Sequence, residues 1–380
     1  MDLKKTLQLK LPTIYKVLQI IWRRIQPTVY HFLYLIKHDH NFADFIKNLS
    51  ESQQRKLPDD LSLMINAYFK SSSHQKTSKY WNYLNIKNIN QLISDGYDNF
   101  KQSVGRNYFL FTDVTRFSDL ITHTKNYSLN IESSEIFKKH SSLDIQKSIQ
   151  VNLITSLLAN HYLNSNGGKI TLEEPIIGNP PYIIIDGKRV TLDLMVSLNE
   201  YCLLKRFIDL ESINSILEIG AGYGRTAYVI LKHLPRARYL ICDIPPALYL
   251  SKTYLEQCFP EKKSVFIPSD LGDEEIKQII KQNDLIFFLP DLLDKIESVD
   301  LFLAIDCLHE MKKDVIDSYI TTAERITDYF YFTVYRDARI YSDNIRLSSQ
   351  YYLRGRTWNS LLQEDRLFPD KFFHGLYQVN

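Results

Sequence analysis

The chain contains 380 residues, of which 44% are hydrophobic, so it is long enough for two domains and apolar enough for a sizeable core. Its 46 Lys and Arg residues nearly balance 44 Asp and Glu residues, and this balance excludes a strongly basic, nucleic-acid-binding chain. The four cysteines form no C-x-x-C pair, which disfavours a disulfide framework or a cysteine metal site and favours a reducing, cytoplasmic location.

Residues 1–165 are predicted to form a mainly helical N-terminal region. Within residues 1–40, apolar residues recur at helical spacing, and seven Lys or Arg residues accompany two Asp residues. Two interpretations stay open: a basic amphipathic helix that rests on the inner face of an anionic membrane, or a helix that packs on its own domain or on another subunit of a homo-oligomer. Further along, the polar segment Ser71–Thr77 is the clearest candidate for a linker.

Residues 166–210 are predicted to contain a small β-hairpin and a connecting helix. The Asp186-Gly187 pair lies between two short strand-forming runs, Ile183–Ile185 and Arg189–Thr191, and such a pair is a hairpin signal. The helix is predicted over about 192–209, and it leads into the first strand of the region 211–380.

The most informative stretch of the chain is an apolar strand, Ser215–Ile219, followed by glycines at 220, 222 and 224 and by a helix that begins near Arg225. Glycine at this spacing lets the backbone turn sharply and approach a ligand, and the helix offers free backbone N–H groups. A dinucleotide-binding G-x-G-x-x-G motif would need a glycine in place of Arg225. The pattern therefore favours a cofactor without phosphates that carries an amino-acid part and a ribose.

Asp243 ends the next apolar run, Arg238–Cys242, 19 positions after Gly224. A carboxylate at the tip of a second strand can accept hydrogen bonds from both hydroxyls of a ribose. Nicotinamide and S-adenosylmethionine (SAM) enzymes share this feature, so Asp243 alone does not separate them. A helix cap before the two following prolines is the alternative role.

Strands and helices alternate through residues 211–380, which predicts a parallel sheet. The candidate strands are 215–219, 238–243, 264–268, 284–289, 300–305 and 328–335. Either 265–268 or 285–289 is the central third strand, and the pattern does not decide between them. The tail contains Tyr351-Tyr352, Trp358 and Phe372-Phe373, and it is predicted to supply the last antiparallel strands and part of a substrate wall.

Residues 215–337 resemble a class I, Rossmann-like, SAM-dependent methyltransferase, because Ile216–Gly224 matches the first motif of that family and Asp243 its second. Three segments resemble the bacterial sugar O-methyltransferases associated with surface polysaccharide synthesis: Glu174–Pro180, Asn199–Tyr201, and Asp300–Ile305 running into Glu310-Met311. The resemblance implies an α/β fold. It consists of a mostly parallel Rossmann-like methyltransferase sheet with an antiparallel C-terminal strand, preceded by a mainly helical N-terminal domain with a small β-hairpin.

The resemblance also implies a SAM site at the carboxyl ends of the strands, formed by Glu218, Gly220, Gly222, Gly224, Asp243 and Asp270. Glu218 could bind the ammonium group of the cofactor or balance the charge of Arg225. Asp270 could contact the adenine amino group or cap the helix that follows it.

Methyl transfer to a hydroxyl requires a base near the end of the fourth strand of such a fold, where Asp306, His309 and Glu310 lie. His309 is the first candidate, because an ordinary histidine pKa of about 6.5 suits a base at neutral pH. Glu310 is its rival, and Asp306 could act as the base or orient His309. No metal is expected. The residues expected to line the acceptor pocket or cover the cofactor are Glu174, Asn179, Glu200 and Tyr201.

These observations lead to the hypothesis of a SAM-dependent O-methyltransferase that acts on a sugar or a sugar-bearing intermediate of cell-surface glycan synthesis. Two alternatives stay open. One is a nicotinamide-dependent sugar oxidoreductase or epimerase, which Arg225 disfavours, and the other is a non-catalytic SAM-binding module. The motifs that recognise the cofactor do not identify the acceptor atom.

Overall fold

The computed structural model describes residues 41–105, 159–160, 163–164, 167–340, 343–366 and 372–379. The basic helix predicted within residues 1–40, with its membrane or subunit contact, lies outside these residues. None of the helices formed by the described residues is long and apolar enough to cross a membrane.

The elements are numbered in chain order within the described residues. The helices are α1 (Phe42–Lys47), α2 (Glu51–Gln54), α3 (Asp59–Lys70), α4 (Ser73–Lys76), α5 (Lys79–Asp95), α6 (Leu192–Phe207), α7 (Arg225–His233), α8 (Ala247–Cys258), α9 (Asp273–Gln282) and α10 (Lys313–Ile326). The strands are β1 (Ile183–Ile185), β2 (Lys188–Val190), β3 (Ser215–Ile219), β4 (Arg238–Cys242), β5 (Ser264–Ile267), β6 (Leu285–Phe288), β7 (Val299–Ile305), β8 (Thr327–Tyr335), β9 (Asp337–Ile340), β10 (Ile345–Ser348), β11 (Asn359–Asp365) and β12 (Phe372–Gln378).

The central sheet has eight strands in the order β5-β6-β4-β3-β7-β8-β12-β11. Strands β5 to β8 pair in parallel, and β12 pairs with β8 in antiparallel orientation. β11 pairs antiparallel with β12 and therefore runs in the same direction as the parallel strands. This confirms the predicted Rossmann-like methyltransferase sheet, which is mostly parallel with an antiparallel C-terminal strand, β12. The question of the third strand is also answered, because β6 lies beside β4 and an additional strand, β5, forms the edge.

Both faces of the parallel strands are covered, which explains why their sequences are continuous apolar runs instead of alternating patterns. Successive residues of a strand point to opposite faces. Accordingly, Ile216 belongs to the hydrophobic core on one face and Leu217 to the core on the other. The first core also contains Phe42 and Tyr68, so the described N-terminal helices pack on the same side of the sheet as α6, α7 and α8.

The hairpin predicted at Asp186-Gly187 is confirmed, since β1 and β2 pair with Ile185 opposite Lys188. Asp186 and Gly187 both have positive φ, of 50° and 75°, as a two-residue hairpin turn requires.

The prediction of a linker at Ser71–Thr77 is wrong, because these residues form α4 and pack on the rest of the protein. The hydroxyl groups that made the segment look like a linker satisfy local hydrogen bonds. Ser71 Oγ donates to the Tyr68 carbonyl at 2.9 Å, and the Tyr68 hydroxyl lies 2.6 Å from Thr77 Oγ1.

Candidate functional site

A cavity of about 330 Å³ lies at the carboxyl ends of β3, β4, β6 and β7, where ligands bind in open parallel sheets. The glycine loop and the end of β4 contribute Gly220, Gly222, Cys242, Asp243 and Ile244. The end of β6 contributes Pro290, Asp291, Leu293 and Asp294. The end of β7 and α10 contribute Ile305, Asp306, Cys307, Glu310, Met311, Asp314, Val315, Ser318 and Tyr319. The N-terminal region contributes Ser72, Ser73, Lys76, Thr77, Ser78 and Trp81.

The glycine loop depends on backbone conformations that favour glycine, since φ is +64° at Gly220, +61° at Gly222 and +87° at Gly224. A Cβ at position 220 would lie 2.5 Å from Cys307 Cβ, so this glycine also lets the loop after β3 approach the loop after β7. Gly220 and Gly222 line the cavity. Gly224, at the start of α7, packs instead on Leu255.

Asp243 lines the cavity at the end of β4 and holds the glycine loop in place. Its Oδ2 accepts a hydrogen bond from the Gly222 N–H at 3.0 Å, and its Oδ1 accepts one from the Ile244 N–H at 2.7 Å. Burial raises the pKa of the Asp243 carboxyl to about 7, against the effect of these two hydrogen bonds. A carboxylate has about four acceptor positions, so Asp243 retains capacity for two ligand hydroxyls.

Glu310 lines the cavity in the loop after β7, as do Asp306 and Cys307. A short 3-10 turn, Leu308–Glu310, directs Glu310 there. The pKa of Glu310 is raised to about 8, mainly by burial and also by the charge of Asp306, and a side-chain hydrogen bond from Trp81 opposes both effects. A pKa near the operating pH suits a group that takes a proton from an acceptor hydroxyl.

His309 lies next to Glu310 but faces the other way and does not line the cavity. Its ring packs against Tyr335, with ring centroids 4.3 Å apart, and its Nδ1 accepts a long hydrogen bond of 3.4 Å from the Tyr335 N–H. Only 3% of the residue is exposed, and desolvation lowers its pKa to about 4. This placement favours Glu310 over His309 as the base.

Asp306 and Arg225 belong to a buried ionic cluster beneath the cavity. Arg225 lies 3.8 Å from Glu200 and 3.4 Å from Asp306, and Arg366 lies 3.3 Å from Glu200. Asp306 has a positive φ of 56° and accepts a hydrogen bond from the Thr333 hydroxyl. The cluster joins α6, α7, β8 and the loop after β7, so Arg225 and Glu200 act inside the protein and not on the cavity wall.

Glu218 and Asp270, the other predicted cofactor ligands, do not line the cavity. Glu218 is 2% exposed and accepts a hydrogen bond from the Tyr239 hydroxyl at 2.7 Å. Asp270 is exposed after β5 at the edge of the sheet. The additional strand displaces it, so Asp291 after β6 lies on the cavity at the end of the strand beside β4.

Three of the predicted acceptor residues have structural partners away from the cavity. Glu174 forms a buried ion pair with Lys101. Tyr201 stacks on His233, with ring centroids 4.0 Å apart. Asn179 is exposed, and its side chain donates to Asn99 Oδ1 at 3.0 Å. Among the described residues, no group of His, Cys, Asp and Glu side chains is arranged to bind a metal ion.

The cavity residues that the N-terminal region contributes, up to Ser78 and at Trp81, were not predicted from the sequence. They belong to a serine-rich segment without a catalytic motif, and only tertiary packing brings them to the site. Asp291 had a weak signal in the sequence. Like Asp243, it follows an apolar run and lies close to proline.

No protein-family model and no curated protein sequence matches this chain. Several solved structures are similar to parts of it. The PH0226 protein from Pyrococcus horikoshii OT3 matches with 9% identity over 48% of this chain and 87% of its own, at a TM-score of 0.34. The methyltransferase domain of bacterial CtHen1 matches with 10% identity over 48% of this chain and 97% of its own, at 0.32. The mitomycin 7-O-methyltransferase MmcR matches with 12% identity over 49% of this chain and 57% of its own, at 0.32.

Proposed function

We propose that this chain is a SAM-dependent O-methyltransferase whose acceptor is a sugar or a sugar-bearing intermediate of cell-surface glycan synthesis. The observation that carries the proposal is the convergence of the glycine loop, Asp243 and Glu310 on one cavity at the carboxyl ends of the parallel strands. The cavity volume of about 330 Å³ falls within the range of small-molecule sites.

The residues on the cavity fit SAM in chemical type. Gly220 and Gly222 line the cavity in positive-φ conformations, and the methionine part would lie against their backbone. Asp243 would accept hydrogen bonds from the ribose hydroxyls, and Asp291 would face the adenine end. When bound, SAM supplies an electrophilic methyl group on a positively charged sulfur.

Glu310 would remove the proton of the acceptor hydroxyl as that oxygen gains its methyl group. With a pKa of about 8, the carboxyl is partly ionised at neutral pH, and its ionised form can accept the proton. The hydrogen bond from Trp81 holds the Glu310 side chain and favours the ionised form.

A sugar acceptor is supported by the polar lining opposite the glycine loop and by the sequence resemblance. Ser72, Ser73, Thr77 and Ser78 line the cavity together with carboxylates. Such groups exchange hydrogen bonds with a polyhydroxylated ligand. The abundance of carboxylates also disfavours the pyrophosphate of a nicotinamide dinucleotide, because like charges would lie close together.

Titration calorimetry with S-adenosylhomocysteine (SAH), SAM and NAD tests the cofactor. We expect SAH and SAM to bind and NAD not to bind. Asp243→Ala should weaken SAH binding at least 10-fold, whereas Asp270→Asn, which alters an exposed carboxylate outside the cavity, should not change it. Tighter binding of NAD than of SAH would overturn the proposal.

Glu310→Gln separates an enzyme from a non-catalytic binding module once an acceptor is found among candidate glycans. The variant should bind SAH as the unaltered chain does but lose at least 100-fold of its methyl-transfer rate. Unchanged transfer by Glu310→Gln would remove Glu310 from the mechanism.

A further inference from the structure

The cavity is lined by more acidic than basic side chains. Its acidic lining residues are Asp243, Asp291, Asp294, Asp306, Glu310 and Asp314. Lys76 is the cationic residue on the described part of the wall. Asp306 is balanced by Arg225 at 3.4 Å. Burial raises the pKa of Asp243 to about 7 and that of Glu310 to about 8, so the negative charge of the wall rests mainly on Asp291, Asp294 and Asp314.

The neighbouring lysines do not line the cavity, and their ammonium groups make their contacts elsewhere. Lys295, beside Asp294, forms its ion pair with Asp273 at 3.3 Å. Lys312 donates to the Gln75 carbonyl at 3.1 Å, and Lys313 lies over the Tyr351 ring at 5.6 Å.

Two of the carboxylates, Asp294 and Asp314, are exposed residues of the cavity wall. Asp294 follows β6, and Asp314 lies in the first turn of α10 after β7; β6 and β7 flank β4 and β3 in the sheet. A ligand in the cavity would therefore lie near both carboxylates. The positive sulfonium of SAM would offset part of the negative potential of these carboxylates. A phosphate group of charge about −1.5 to −2 would still be repelled.

We propose that the part of the acceptor that enters this cavity is a neutral or amino-bearing sugar, and not a sugar phosphate or a nucleotide-diphosphate sugar. The inference rests on the proposed function and narrows its substrate class. Carboxylates bind hydroxyl and ammonium groups through charge-assisted hydrogen bonds, so the same residues that repel phosphate would bind such a sugar. The acceptor would then be a glycan or glycoside, methylated after the nucleotide has left.

The test compares matched ligands on the full chain saturated with SAH. Saturation-transfer NMR would be measured with glucosamine, methyl β-glucoside and glucose 1-phosphate, and the series repeated with galactose derivatives. We expect the phosphate ester to bind at least 10-fold more weakly than the phosphate-free sugars. The double variant D294N/D314N should reduce this difference several-fold, whereas Asp337→Asn, which alters an exposed carboxylate away from the cavity, should leave it unchanged.

The two proposals fail in different ways in this experiment. Absence of SAH binding in the first step would reject the cofactor and the proposed function. SAH binding together with a phosphate ester that binds as tightly as its phosphate-free partner would reject only the inference about the acceptor. A preference for the neutral sugars that D294N/D314N leaves unchanged would also overturn it, because the carboxylates would not be its cause.

Discussion

Glu310 and Trp81 come from distant parts of the chain and together determine the proton affinity of the site. Burial and the charge of Asp306 favour the protonated carboxyl, whereas the hydrogen bond from Trp81 favours the carboxylate. The resulting pKa of about 8 lies closer to neutrality than that of the buried His309, about 4. The proposed base is therefore the glutamate and not the histidine that precedes it in sequence.

Trp81 should report the titration of Glu310 without any acceptor. Because the group that accepts its hydrogen bond changes charge, we expect a transition in tryptophan fluorescence with a midpoint near pH 8. Glu310→Gln should abolish the transition. Trp358→Phe should preserve it, since Trp358 donates to Glu324 instead. The same transition in Glu310→Gln would show that another group is titrating.

Gly220 should tolerate no side chain, for reasons of both conformation and space. Gly220→Ala would place a Cβ 2.5 Å from Cys307 Cβ at a φ of +64°. We expect the free energy of unfolding to fall by about 2–4 kcal/mol, from backbone strain and overpacking combined, and SAH binding to be lost. Gly272→Ala is the control, since a Cβ there meets open space and φ is −71°. Urea unfolding of both variants tests this, and equal stability would contradict it.

At the scale of elements, β3 carries a buried carboxyl within the central sheet. Burial raises the pKa of Glu218 to about 7, although the Tyr239 hydroxyl opposes this shift. Between pH 4.5 and 7, the folded chain retains a proton that the unfolded chain has released. The contribution of Glu218 to stability is thus unaffected below about pH 4.5 and becomes unfavourable as pH rises to 7, by about 3 kcal/mol.

Glu218→Gln should remove this pH dependence while keeping an oxygen that accepts from Tyr239. The variant should gain stability relative to the unaltered chain as pH rises from 5 to 8, by up to about 3 kcal/mol. Urea unfolding at several pH values measures the difference. Glu211→Gln, at an exposed position before β3, should show no such gain. A constant difference between Glu218→Gln and the unaltered chain would contradict the assignment.

The strands could be predicted because a parallel sheet buried on both faces demands continuous apolar runs. Ser215–Ile219 and Arg238–Cys242 are examples, and Asp243 follows at the place that the fold requires. The order of β5 and β6 could not be predicted, because both are short apolar runs and strand pairing depends on tertiary contacts. Because of that ambiguity, Asp291 at the end of β6 was not predicted as a cavity residue, whereas Asp270 after β5, which was, does not line the cavity.

At the scale of the whole molecule, the N-terminal region completes the site that the sheet begins. Ser73 Oγ donates to Asp291 at 3.4 Å, and the backbone N–H groups of Lys79 and Tyr80 donate to the carboxylate of Asp343. Contacts between residues more than 200 positions apart leave no local pattern in a sequence. For this reason the segment before Trp81 resembled a linker. The domain division at residues 165 and 210 stays a prediction.

The ion pair of Lys101 with Glu174 is another long-range contact of the N-terminal region, and it lies next to the glycine loop. Their ion pair is buried, and Thr191 Oγ1 donates to the second carboxylate oxygen of Glu174 at 2.7 Å. The Lys101 ammonium lies 4.9 Å from the centre of the Tyr223 ring and 4.4 Å from that of Tyr254. Tyr223 lies between two glycines of the loop, so its contact with Lys101 stabilises the loop.

Lys101→Met should therefore destabilise the protein and loosen the glycine loop together. It would leave the buried Glu174 without a cationic partner, at a cost of about 3–5 kcal/mol, and weaken SAH binding because Tyr223 loses its support. The double variant K101M/E174Q should recover much of the stability but not the SAH affinity. Arg55→Met, in a pair whose side chains are 82% and 88% exposed, should change neither quantity. Urea unfolding and calorimetry measure the two effects, and full recovery of SAH binding in K101M/E174Q would show that the loop does not depend on the lysine.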